Sequence, residues 1–398
     1  MDAFVLPSPQ NAYFSDFPSS GEHSLSSISQ RLIFWGRSCA MIYPNVSTLV
    51  LITGATGHVG FRVLIHALTA GYSIRCAVRS SQKAKTIISH PLILALSPGP
   101  RLSFIVIPDL CVPSAYDEAA RGVSHIIHIA SPLMSNQIPP PDDQDAFFIQ
   151  PAVRGTLNIL EAARKSGTVR RVVITSSITA LIPFSEITGE RRCASWVEPD
   201  HRIPFVAGRY KDEFEAYAAS KVAALREAEA WMESERPAFD VVHLHPSFVE
   251  GRNDLAMHTR EVLKGTNAII LSIAMGKRFQ HSTMGTTVHL EDVARIHVQA
   301  LDVDQVPGNS SYILSQSTEW EDVTEIVGRC FPDAVRKGLL PNSGEGLSHP
   351  IFVDAGRTEE VFGLRFRGLE EQVRSVVGHY LEVRMGNKKS VGKSVARR

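Results

Sequence analysis

The chain has 398 residues, 44% hydrophobic and 21% charged, proportions that suit a soluble globular protein of one large or two modest domains. Basic and acidic residues balance at 41 each, so no net field recruits nucleic acid or an anionic membrane surface. No apolar run approaches the roughly 18 residues that a membrane span needs. Cys39, Cys76, Cys111, Cys193 and Cys330 are scattered, odd in number and without a CxxC pair. That pattern argues against a disulfide framework or a metal site and fits a reducing, cytoplasmic setting.

Residues 1–45 are rich in Ser, Pro and Phe, show no helical or strand period, and are expected to form a disordered leader. From Thr48 the pattern changes. TLVLITG is an apolar strand, and His58 to Thr69 follows as a helix. YSIRCAV, LSFIVI, HIIHIA, RVVITSS and DVVHLHP are further strands. Continuous apolar runs separated by helical stretches predict parallel strands buried on both faces, the doubly wound α/β pattern. Residues 46–245 are therefore expected to form a dinucleotide-binding domain. Beyond Pro246 the alternation weakens, although VHLEDVARIHVQAL reads as a turn into an amphipathic helix. Residues 246–383 are expected to form a smaller substrate-binding lobe interleaved with the first domain, and residues 384–398 a basic flexible tail.

TGATGHVG joins the first strand to the first helix. Gly54 permits a tight turn, Gly57 lets backbone approach a pyrophosphate, and Gly60 allows close helix packing. The backbone of Thr56, His58 and Val59 completes a turn whose helix N-terminus offers unpaired N–H groups to phosphate. An NAD enzyme places an acid about 20 residues further on, to bind the ribose hydroxyls. Here no Asp or Glu occurs between Gly60 and Asp109, and the second strand runs into Arg79, Lys83 and Lys85. Cationic donors in place of a carboxylate predict a 2′-phosphate, hence NADPH. Asp109 and the Leu110 backbone, after the third strand, suit the adenine. Ala130 and Ser131, after the fourth, suit the ribose on the nicotinamide side. His125 and His128 read as packed structural histidines, and no metal is expected.

Of the eight tyrosines, only Tyr217 has a lysine four residues later, Lys221, on the same helical face. The pair follows a strand that ends in Ser176 and Ser177. Carbonyl reduction needs a proton for oxygen as well as a hydride for carbon. Tyr217 can deliver that proton. Lys221 and an oxidised nicotinamide would favour its phenolate form, and Ser177 can donate to the carbonyl oxygen. Only one of the two serines can face the site, and Ser177 lies closer to the strand end.

TGATGHVG, the Ser-Ser strand end and the YxxxK helix together resemble the extended short-chain dehydrogenases/reductases. VRSSQKAK, SPLM, ASWVEPD and HPSFVEG resemble the dihydroflavonol-4-reductase and cinnamoyl-CoA-reductase-like branch, over about Val46 to Tyr380. The resemblance implies a doubly wound parallel Rossmann sheet with a smaller C-terminal lobe. It also implies NADPH held by Arg79 and a nearby lysine, Ser177, Tyr217 and Lys221 as catalytic residues, and Pro246 and Ser247 bordering the nicotinamide. The expected activity is reduction of a ketone or aldehyde, as in fungal ketoreductases of polyketide-like intermediates, by a monomer or homodimer. Phe147, Phe148, Phe184, Trp196, Phe205 and Phe248 lie in the segments expected to line the substrate pocket. The stretch from Ser185 to Arg209 is long for the branch. The rival readings are a steroid-type dehydrogenase, a nucleotide-sugar epimerase or dehydratase, and a non-catalytic NADP sensor.

Overall fold

A computed structural model describes residues 48–134 and 143–395, and side chains up to residue 386. The leader expected over residues 1–45 and part of the first pocket segment lie outside the described residues.

Seven parallel strands form the main sheet: β1 (Leu49–Thr53), β2 (Ser73–Val78), β3 (Leu102–Val106), β4 (His125–His128), β5 (Arg171–Thr175), β6 (Asp240–Pro246) and β10 (Ser310–Leu314). Their order is β10-β6-β5-β4-β1-β2-β3. Consecutive side chains leave opposite faces of the sheet. Val50 and Ile52 enter one core and Leu51 the other, as do Val173 and Val172. Helices α1 (His58–Thr69) and α4 (Leu290–Gln299) cover the first face through Phe61, Leu64, Val293 and Ile296. Helices α2 (Gln150–Ser166) and α3 (Glu213–Glu235) cover the second through Ile159, Leu160, Ala163 and Ala228. Burial on both sides explains why these strands are apolar throughout rather than alternating.

The strand order reverses between β1 and β4, and the chain leaves the carboxyl ends of those strands in opposite directions around the sheet. That is where an open α/β sheet leaves a crevice for ligand. The second lobe closes over it. β7 (Phe248–Glu250), β9 (Thr286–His289) and β11 (Gln316–Ser317) make a small sheet, and β8 (Thr283–Met284) pairs with β12 (Ser348–His349). A third core gathers Ile270 and Leu271, Val323 and Val327, and Val373, Val376 and Val377 of α5 (Leu369–Val395). α5 carries helical backbone well past residue 384, into the stretch expected as a flexible tail. That stretch has no proline to stop a helix, and its lysines and arginines are good helix formers.

Candidate active site

The glycine turn is built for close approach. Gly54 sits at φ +75°, a conformation that favours glycine, and a Cβ there would lie 2.8 Å from the Ala130 amide nitrogen. A Cβ on Gly60 would lie 2.1 Å from the Gly54 carbonyl oxygen, so α1 can start against the turn only with glycine at this position. Gly57, the N-cap, offers no side chain to the first N–H groups of α1, and no acid occupies the first turn. Those amides remain available to an anion. Thr56 is half-buried and Val59 packs at the edge of the first core. The His58 imidazole donates from Nε2 to the Gly251 carbonyl at 3.1 Å, tying the turn to the second lobe.

Arg79 is exposed at the end of β2 and makes no hydrogen bond or ion pair with the described residues. Ser80 caps the next helix, Ser81–Ile88, by accepting from the Lys83 amide. Lys83 and Lys85 are both exposed, but two helical residues apart they diverge, and Lys83 is the one in the first turn. The Asp109 carboxylate accepts from the Cys111 amide at 2.8 Å, and the Leu110 carbonyl accepts from Asn158 at 2.8 Å.

Between the glycine turn and β4 lies a network that sequence reasoning missed. The Thr53 hydroxyl accepts from the Ile129 and Ala130 amides, both at 3.1 Å, and lies 3.0 Å from His128 Nδ1. With both lone pairs taken, the hydroxyl donates to Nδ1, which places the imidazole proton on Nε2. Burial, reinforced by Lys221, lowers the His128 pKa to about 3, so the ring stays neutral. Thr53 and His128 are register partners in adjacent strands, a pairing that no local motif announces.

Ser177, Tyr217 and Lys221 come together at the carboxyl end of β5. The Ser177 Oγ accepts from the Thr179 amide at 3.2 Å and from its hydroxyl at 3.0 Å. The Ser177 hydroxyl proton is thereby free to donate, and Ser177 is near enough to Tyr217 to favour its phenolate form. Ser176 lies elsewhere, lining a small cavity beside Lys221. The Lys221 ammonium is 5.6 Å from the centre of the Tyr217 ring and 3.4 Å from the Thr175 carbonyl. Burial lowers the Lys221 pKa to about 8. The Tyr217 hydroxyl is pushed above its ordinary value by burial, with Ser177 working the other way. In the ligand-free pocket desolvation prevails and Tyr217 holds its proton.

Ser131 lines the same small cavity as Lys221, connecting the glycine side of the crevice to the tyrosine side. Pro246 ends β6, and the Ser247 amide donates to the Leu314 carbonyl at 3.0 Å. His245 donates from Nδ1 to the Ser177 carbonyl at 3.3 Å, a second support for that serine that the sequence does not advertise. Of the six aromatic residues proposed for the pocket, Phe147, Phe148 and Phe205 cluster with Tyr217. Phe148 is fully buried there, while Phe147 and Phe205 are half-buried. Phe184 stacks edge-on against Phe214, Phe248 against Trp320, and the exposed Trp196 leans on Phe352. Among the described residues, no group of three or more His, Cys, Asp or Glu could hold a metal ion.

The profile of the NAD dependent epimerase/dehydratase family matches residues 50–314. Ketoreductase CTB6 of Cercospora nicotianae is 41% identical over 348 residues, covering 84% of this chain and 96% of its own. NAD-dependent epimerase/dehydratase ALT6 of Alternaria alternata is 35% identical over 347 residues, covering 83% and 97%. Among solved structures, yeast methylglyoxal/isovaleraldehyde reductase Gre2 complexed with NADPH matches with a TM-score of 0.68 at 21% identity, covering 84% of this chain and 98% of its own. At that identity the likeness is one of fold.

Proposed function

The chain belongs to the NAD dependent epimerase/dehydratase family, and on that premise we propose that it reduces a ketone or aldehyde to an alcohol with NADPH. The observation that carries this reading is the convergence of Ser177, Tyr217 and Lys221 at the carboxyl end of β5, with Lys221 buried and its ammonium 5.6 Å from the centre of the Tyr217 ring. The residues of the crevice fit a dinucleotide. Gly54 and Gly60 leave room where a Cβ would collide, and the start of α1 is uncapped. Arg79, with Lys83 nearby, is available to a 2′-phosphate, and no acid stands in that place to repel it. Bound here, a reduced nicotinamide supplies the hydride.

The chain's own residues supply the rest. Ser177 directs its hydroxyl proton at the substrate oxygen and stabilises charge developing there. Tyr217, kept protonated by burial, transfers its proton to that oxygen. Lys221 sits close enough to favour the phenolate left behind. Phe147 and Phe205, half-buried beside Tyr217, suit a conjugated or aromatic carbonyl compound of the kind found among polyketide-like intermediates. The relative named as a ketoreductase supports the same reaction class. An epimerase or dehydratase reading is less well served, because Ile178 and Thr179, not acids, follow Ser177.

The test is oxidation of NADPH and NADH by the purified protein over a panel of aromatic and polyketide-like ketones and aldehydes. The expected result is turnover with NADPH preferred by about tenfold or more, the scale of a charge-assisted contact to the 2′-phosphate. A preference for NADH contradicts the role given to Arg79. Tight NADPH binding with no turnover anywhere on the panel favours a cofactor sensor instead.

A further inference from the structure

We propose that His243 is a relay residue, through which solvent protons return to Tyr217 by way of Lys221 and the cavity beside it. The proposal rests on the reading above, in which Tyr217 gives up one proton per turnover.

His243 lies in the middle of β6, in register with Ile174 on one side and Ser311 on the other, on the sheet face that α3 covers. Two hollows occur along that face. The inner one, about 20 Å³, is lined by Lys221, His128, Ser131, Thr175, Ser176 and His243, among others. The outer one, about 310 Å³, opens between α3 and the β10 edge and is lined by Arg202, Glu229, Glu233, Ser311 and again His243. One imidazole thus forms part of the wall of both. Following α3 away from Tyr217, the order is Lys221, the inner cavity beside Ala224 and Leu225, then the outer cleft beside Glu229, Met232 and Glu233.

His243 is only 5% exposed, and its Nδ1 is buried without a hydrogen-bond partner. A buried unpaired nitrogen costs stability unless water reaches it. The inner cavity exceeds the ~10–15 Å³ that one water needs, and it carries the several polar neighbours that would hold it. Burial, with Arg202 adding to it, lowers the His243 pKa to about 3. The ring therefore stays neutral, and a proton crosses it by arriving at one nitrogen as another leaves the opposite one. Arg202 is paired with Glu229 and bonded to the Ser311 hydroxyl, which offsets part of the charge it sets against a proton on His243.

The transfer balances at each step. When Tyr217 has protonated the product, a Lys221 N–H bond breaks as the Tyr217 O–H bond re-forms. A cavity water gives its proton to Lys221, and a His243 N–H gives its proton to that water. Solvent in the outer cleft protonates the other His243 nitrogen, and a flip of the ring returns the N–H to the inner side before the next turnover. Nothing is oxidised or reduced, and one solvent proton enters per turnover. Phe147 and Phe205 pack in the same cluster as Tyr217 and line neither hollow.

The test is stopped-flow NADPH oxidation by the wild type, His243→Leu and His243→Ala, with NADPH affinity measured separately by fluorescence titration. Tyr217 enters its first turnover already protonated. The variants should therefore complete that turnover at the wild-type rate and then slow about tenfold or more, giving a burst of one NADPH per site. Their steady-state solvent isotope effect should rise, added imidazole should restore the steady rate of His243→Ala, and NADPH affinity should not move. Variants with no burst overturn the relay, whether both phases run at wild-type speed or both slow together, as a packing residue would cause. A wild type that turns over no carbonyl at all instead removes the reductase reading on which the relay stands.

Discussion

Ser177 is fixed by Thr179 from two directions, which leaves its own hydroxyl proton free to donate. Its neighbour Ser176 belongs to the cavity wall. The two serines are chemically identical and adjacent, and only the backbone alternation separates them. Ser177→Ala should lower kcat/KM for a given carbonyl by about 10²-fold, as loss of an oxyanion donor does. Ser176→Ala should stay close to wild type. The reverse order, measured on the same substrate, would reassign the donor. Gly60 makes the same kind of point for the cofactor. What matters is the missing Cβ, which would sit 2.1 Å from a carbonyl oxygen. Arg79 matters for the opposite reason, as an exposed cation with no hydrogen-bond or ion-pair partner among the described residues.

At the level of elements, α1 both opens the phosphate cradle and anchors the second lobe. Arg62 bridges Glu291 at the start of α4 and Asp254 in the loop after β7. His66 also reaches Glu291, at 2.8 Å, and Arg252 joins Asp254 to Glu382 of α5. Burial pushes the Glu291 carboxyl up, but the bonds from His66 and Arg62 outweigh it and hold it below the usual carboxylate range. Glu291→Gln keeps the shape and removes the charge, and should cost about 1–3 kcal/mol in urea unfolding. No loss would mean that solvent already screens the network. The Arg62 and His66 contacts join residues 192 to 229 positions apart, which is why no sequence period reveals them. The local features were legible. The helix expected from His58 to Thr69 spans those residues, and RVVITSS and DVVHLHP contain β5 and β6, because a strand buried on both faces writes its environment into consecutive residues. β10 was missed: SSYIL is short, lies among weak signals, and takes its place only by pairing with β6. The glycine turn and the YxxxK pair could be read for the same local reason. The Thr53–His128 bond, the His245–Ser177 bond and the position of His243 could not, since each depends on which strands become neighbours.

Across the whole molecule, buried histidines set the response to acid. Burial lowers His125, His289, His297 and His379 to about 4, and His128 and His243 to about 3. In the unfolded chain each titrates near 6.5. Their contribution to stability is fully present above pH 6.5 and is lost as pH falls towards their native values, at up to about 1.4 kcal/mol per pH unit for each group. Glu291, also depressed, adds to the loss at lower pH. Glu250 acts in the opposite sense. It is fully buried, neither carboxylate oxygen has a hydrogen-bond partner among the described residues, and burial raises its pKa to about 8. Its contribution is present below the unfolded value near 4.3 and is lost as pH rises towards 8. Urea unfolding should therefore show stability falling steeply from pH 6.5 to 4.5 and more gently from 6.5 to 8, with Glu250→Gln abolishing the second slope. A flat profile between pH 6.5 and 4.5 would contradict neutral burial of the histidines. On the proposed function, the sheet, the crevice at its switch point and the closing lobe together serve one event, proton delivery by Tyr217 to a substrate oxygen. The most direct measurement of that event is turnover and NADPH affinity of Tyr217→Phe beside the wild type. The account predicts that kcat falls about 10²- to 10⁴-fold while NADPH binds almost as before. Turnover at the wild-type rate in Tyr217→Phe would contradict it.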